Sequence, residues 1–248
     1  MMQALSPSPA LPSSSVLRYR IEGFSEDWII PEVPVPEAPW HDACLEHFKA
    51  LLAAWVAGAG RDAVVYRDIA IRTDPERRNV GFNPDVCLIE PAPAEAELIE
   101  SLRLWEHPCA RLAFEAVSRN HPYKDYSLVP EKCAVTGVTE LVVFDPLLVG
   151  PKSRGGPWLL QLWRRAEDGG FERVHAGDGA VRSAVLGAYL VPDGAGRRLR
   201  IAQHADGTEP WLTEQERARE REERAREREA LALQRVAELE AELAKSRR

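Results

Sequence analysis

Four pieces of the chain decide how it is read: NPDVCLIE (83–90), RLAFEAVS (111–118), PEKCAVTG (130–137) and TELVVFDP (139–146). The runs Val86–Ile89, Leu112–Val117 and Leu141–Phe144 are almost continuously apolar, as a strand must be when both faces of its sheet are covered. Between the last two lies Pro130–Thr136, which suits a helix. Strand, helix and strand in this order predict a mixed α/β sheet. Upstream, Leu45, Phe48, Leu51, Leu52 and Trp55 recur at three- and four-residue steps, the apolar stripe of a helix that Gly58 and Gly60 end. Further β-type runs fall at Val64–Tyr66, Ile69–Ile71 and Trp158–Trp163. Those near Phe171–Val174, Tyr189–Val191 and Leu199–Ile201 are expected as antiparallel strands of the same domain.

Composition bounds the classes. With 45% hydrophobic and 29% charged positions in 248 residues, most of the chain can bury a core. No run approaches the roughly 20 apolar residues of a membrane helix, and the N-terminus lacks a basic-then-apolar secretory pattern, so a cytoplasmic protein is expected. Cys44, Cys87, Cys109 and Cys133 include no CxxC pair, which disfavours a zinc ribbon and a disulfide framework. The net charge of −7 argues against a general nucleic-acid coat protein but not against a local nucleic-acid site.

The expected organisation is a disordered leader (1–27), a globular domain (28–208) and an Arg/Glu-rich helix (209–248). Residues 28–40 carry four prolines and read as an extended arm. Residues 209–248 hold eleven acidic and ten basic side chains. Thr213 and Glu216 form a capping box that marks the helix start. Ala218, Ala225, Ala232 and Leu239, with Val236 and Leu243, make a weak heptad seam, so this helix is either simply solvated or a dimerising coiled coil.

Asp85 leads into one predicted strand and Glu115 lies near the end of another, and acids on neighbouring strands can aim at one point, as a hard divalent cation requires. The bland alternative makes Asp85 a turn cap and Glu115 a solvated strand end. Apolar neighbours on both sides of Glu115 favour a cationic partner, because an unpaired buried carboxylate is costly. The row His41, Cys44, His47 is no metal site, since the two histidines lie about 120° apart around a helix. Asp145, before Pro146, reads as a chain-turning residue. Arg164, Arg165, Arg197, Arg198 and Arg200 are surface arginines or phosphate contacts. Ser118 lacks the setting of a serine nucleophile, and no phosphate-binding loop or dinucleotide fingerprint is present.

The order NPDVCLIE, LAFEAVS, KDY, PEKCAVTGVTELVVFDP, followed by LWRR and SAVLGAYL, resembles the Uma-two family of bacterial restriction endonucleases, within the PD-(D/E)XK nuclease superfamily. The resemblance covers about residues 41 to 205. It implies a restriction-endonuclease-like core, with a central mixed β-sheet flanked by helices and followed here by the long charged C-terminal helix. It also implies Mg²⁺-dependent (or Mn²⁺-dependent) hydrolysis of phosphodiester bonds in DNA. Asp85 matches the Asp of the PD motif and Glu115 the acid of the E-x-V motif. Both are then metal ligands, with the Ala116 carbonyl as a third. Val117 stands where the wider superfamily has its lysine. Lys132 matches the lysine of the following helix, with Lys124 the substitute, and His41 matches a histidine near the site. Two readings follow: an active endonuclease, or an inactive nuclease-fold scaffold that works through its C-terminal helix.

Overall fold

A computed structural model describes residues 17–19, 23–25, 27–30, 38–193 and 195–246. Residues 1–16 of the expected leader and most of the proline-rich arm lie outside them. The chain divides into two units, the second being Leu212–Arg248.

In the first unit, β1 (Arg18–Tyr19) precedes α1 (Pro39–Ala59). Then come β2 (Val64–Arg67), β3 (Ala70–Arg72), β4 (Gly81–Phe82), β5 (Val86–Ile89), β6 (Ser101–Arg103) and β7 (Ala110–Ala116). After α2 (Val129–Thr136) follow β8 (Glu140–Phe144), β9 (Leu160–Arg165), β10 (Phe171–Gly177), β11 (Val181–Ser183), β12 (Ala188–Pro192) and β13 (Leu199–Ala202). A central sheet runs in the order β1-β10-β9-β8-β7-β5-β2. It is mixed: β7 and β8 are parallel, joined through α2, and the other pairs are antiparallel. Arg18 and Tyr19, which the sequence reading put in the disordered leader, instead pair with Glu172 and Phe171.

The near-continuous apolar runs have the expected cause. Val86, Leu88, Leu112, Phe114, Val142 and Phe144 face α1, whose Leu45, Phe48, Leu51, Leu52 and Trp55 are all buried against them. The alternate residues Cys87, Ile89, Ala113, Leu141 and Val143 face α2, through Val129 and Cys133. Phe48 stacks on Phe114 with ring centroids 4.0 Å apart, so truncating either ring costs about 3–5 kcal/mol. Gly60, in the left-handed region at φ 61°, ends α1. A sheet of β11, β12 and β13 shares the core on the α1 side, and one of β4, β3 and β6 shares it on the α2 side. The architecture is therefore a mixed α/β fold, its large central sheet covered on both faces.

Glu140, on β8, is fully buried and sits opposite Arg164 in the antiparallel register. Its carboxylate accepts Arg164 Nε at 2.7 Å, the Ser183 hydroxyl, and the Ala184 N–H at 2.9 Å. This pins the β11 corner to the central sheet. Arg165 donates to the carbonyls of Cys133, Ala134, Val138 and Gly169. Both arginines of the LWRR run thus act within the fold rather than on phosphates.

The second unit is one helix, α3 (Glu214–Ser246). Its start is the expected capping box: the Thr213 N–H donates to Glu216 Oε2 at 2.9 Å, and the Glu216 N–H to Thr213 Oγ1 at 3.2 Å. Val236, Leu239 and Leu243, on the expected seam, are exposed on this helix.

Candidate active site

The acids sit where strand alternation puts them. Glu115 follows the parity of Ala113 and Val117, so it points to the α2 side of the sheet and is 0% exposed. That excludes the solvated strand end. Neither carboxylate oxygen accepts a hydrogen bond; the closest cation is Lys124 Nζ, 3.3 Å from Oε2. Asp85 immediately precedes β5, the antiparallel neighbour of β7, and the Ala116 N–H donates to its Oδ2 at 2.8 Å. Asp85 and Glu115 thus lie at adjacent strands, near enough for the Glu115 charge to act on Asp85.

His41, in the first turn of α1, donates through Nε2 to the Ala116 carbonyl at 2.7 Å, and the same nitrogen lies 3.7 Å from Asp85 Oδ2. This fixes the strand end that carries Glu115. It also takes one lone pair of the carbonyl expected as a metal ligand. Cys44, one turn further along α1, has its thiol pushed up to about 12 by burial and by the Asp85 charge.

The two lysines separate. A single π turn, Lys124–Leu128, leads into α2, and its wide step places Lys124 against Glu115 and 3.6 Å from Asp125 Oδ1. The Glu115 carboxylate holds the Lys124 ammonium well above the usual lysine range. Lys132, one helix turn beyond the π turn, reaches the Gly81 carbonyl at 3.4 Å and the Trp28 ring face at 5.8 Å. Burial, with help from the Lys124 charge, lowers its pKa to about 8, while the Glu115 charge acts in the opposite direction. Gly81 is required where it stands: a Cβ there would lie 1.9 Å from the Ile71 carbonyl oxygen.

Asp125 is the residue that sequence reasoning missed. It is 3% exposed, and its Oδ1 accepts no hydrogen bond. Burial and the Glu115 charge raise its pKa well above the usual carboxylate range; burial and Glu115 do the same to Asp85. The signal available in sequence was its place beside Lys124 in KDY. The π turn is held from behind. The Tyr126 hydroxyl donates to Asp145 Oδ2 at 3.0 Å and accepts the Trp158 N–H at 2.9 Å. Asp145 in turn accepts the N–H groups of Val149 and Gly150, as its chain-turning reading requires. A side chain at Gly150 would strike the Tyr126 ring at 2.2 Å.

Three buried carboxylates therefore face one ammonium, Lys124. Among the described residues no three His, Cys, Asp or Glu side chains form a ready-made metal cage. The orphaned oxygens of Glu115 and Asp125 nonetheless suit a hard cation that completes its shell with water and phosphate oxygens, as Mg²⁺ does.

A pH dependence follows. An acid whose folded pKa is raised stabilises the fold fully below its unfolded pKa of about 4, and that contribution fades as pH rises through the folded value. Without divalent ions, the wild type should lose melting temperature relative to Asp85→Asn between pH 4 and pH 7. Paired thermal melts check this; a constant difference between the two proteins would show that Asp85 titrates normally.

No family model matches the chain, and no curated protein does. Among solved structures, a crystal structure of a putative nuclease belonging to DUF820 from Anabaena variabilis ATCC 29413 matches at 14% identity and a TM-score of 0.43, over 62% of this chain and 76% of that one. No helix among the described residues is long and apolar enough to cross a membrane.

Proposed function

We propose that the protein is a divalent-metal-dependent nuclease that hydrolyses phosphodiester bonds in DNA, with its site at Asp85, Glu115 and the two lysines. The observation that carries this reading is Glu115, a carboxylate with no exposure and no hydrogen bond on either oxygen. Such a group must be protonated or lie beside cationic charge, and a divalent ion supplies the charge that lets Asp85, Glu115 and Asp125 ionise together around Lys124.

In this reading Asp85 and Glu115 hold Mg²⁺ or Mn²⁺, and the second lone pair of the Ala116 carbonyl completes the protein's share. When bound, such an ion polarises the scissile phosphate and acidifies water. His41 keeps the Ala116 carbonyl and Asp85 in register. Lys124, held charged by Glu115, stabilises negative charge that develops on the phosphate. Lys132, with its pKa near 8, takes a proton from the attacking water. A homodimer through Val236, Leu239 and Leu243 of α3, and a cytoplasmic setting, belong to the same proposal.

The test is cleavage of supercoiled plasmid and circular single-stranded DNA by the full chain with Mg²⁺, Mn²⁺ or a chelator. The two lysines should behave differently. Lys124→Ala should slow cleavage about 10²-fold or more at every pH, the scale of one lost charge at a reacting centre. Lys132→Ala should remove the rise in rate through pH 8 that wild type shows. No cleavage of DNA under any condition would overturn the reading in favour of the scaffold, and metal-independent cleavage would overturn the metal's part in it.

A further inference from the structure

Lys124 belongs to two places at once. Its ammonium pairs with Glu115, and the residue also lines a neighbouring open cleft of about 580 Å³. That volume lies within the roughly 300–1,000 Å³ range of small-molecule sites. The cleft's wall is unlike the rest of this acidic chain. Tyr19, His121, Tyr123, Lys124 and Arg154 line it, with Glu131 as its one acid. Tyr123 is 52% exposed although it is large and aromatic. The Arg154 guanidinium lies 5.1 Å from the Tyr123 ring centroid and donates to the Tyr123 hydroxyl, which fixes the ring at the cleft wall. The same bond from Arg154 pulls the Tyr123 hydroxyl below the usual tyrosine range. The Tyr123 backbone is held separately, its carbonyl accepting the Ser127 hydroxyl at 2.8 Å.

An exposed, fixed aromatic ring beside a guanidinium is the arrangement that stacks a base and holds its phosphate. A base inside a duplex is already stacked on both faces and offers none to a side chain. We infer that this cleft is a subsite for an unpaired nucleotide flanking the scissile phosphate, with the base on Tyr123 and a phosphate on Arg154, so that the preferred substrate is single-stranded nucleic acid. The inference rests on the nuclease reading, because Lys124 is what joins the cleft to the acids. The Tyr19 and Tyr123 rings do not discriminate DNA from RNA, since stacking is blind to the 2′-hydroxyl.

The test separates binding from cleavage. Fluorescence anisotropy, with the full chain in chelator, would follow a labelled thymidine 12-mer, a uridine 12-mer and a hairpin duplex of equal length. The single strands should bind more tightly than the hairpin. Tyr123→Ala should weaken single-strand binding about tenfold, the effect of one lost base–aromatic stack, while Tyr123→Trp retains it and Arg154→Ala also weakens it. Hairpin binding should be the same in all four proteins. Unchanged melting temperatures would show that the variants fold. Equal affinity for hairpin and single strand, no binding of any strand, or indifference to Tyr123→Ala overturns the subsite. Loss of binding in Tyr123→Ala, with a wild type that cleaves neither DNA nor RNA, would refute the nuclease and leave the cleft as a single-strand binding site without a scissile phosphate. Cleavage that needs metal and Asp85 but ignores Tyr123 would uphold the nuclease and refute the subsite.

Discussion

Asp85→Ala is expected to reduce metal-dependent DNA cleavage by about 10³-fold, the scale of removing one fixed electrostatic group from a reacting centre. The argument is geometric. Asp85 Oδ2 is held by the Ala116 N–H and lies beside His41 Nε2, which fixes the carboxylate at the strand end next to Glu115. Glu115→Gln should lose as much, because it keeps the shape of the side chain and removes only the charge. Asp206, an exposed turn residue, serves as control: its substitution by alanine should leave the rate unchanged. Initial rates of plasmid nicking at saturating Mg²⁺ check all three. A Glu115→Gln enzyme within tenfold of wild type would remove Glu115 from the chemistry.

The second large effect is on stability. Glu140→Ala should destabilise the fold by about 2–4 kcal/mol, the cost of leaving two buried donors without an acceptor. The Ser183 hydroxyl and the Ala184 N–H lose their acceptor together, while Arg164, 35% exposed, keeps the Arg182 carbonyl and solvent. Against a typical total of about 5–15 kcal/mol, that is a substantial fraction of the stability. Glu140→Gln, which keeps an acceptor, should cost less. Urea denaturation midpoints measure both, and a loss below about 1 kcal/mol for the alanine variant would show that the tie contributes little.

The sheet was legible because its strands announce themselves. An apolar run such as LVVF at Leu141–Phe144 needs cover on both faces, and α1, α2 and the two small sheets provide it. The strands β1, β4, β6 and β11 were not legible: two or three residues carry no periodicity. Glu115 stood out because it interrupts an apolar strand. Asp125 did not, since an acid in a polar turn looks solvated until the chain is folded over it. The roles of Lys124 and Lys132 could not be apportioned from spacing, because the π turn at Lys124–Leu128 changes the angular step before α2 and sets which lysine meets Glu115.

The central claim is that Asp85 and Glu115 form a divalent-cation site, and calorimetric titration of Mn²⁺ into the full chain at neutral pH tests it most directly. One bound ion per chain, with proton release as the raised acids ionise and no binding in Glu115→Gln, is the predicted result. A wild type that takes up no ion, or a Glu115→Gln variant that binds it equally well, would contradict the account.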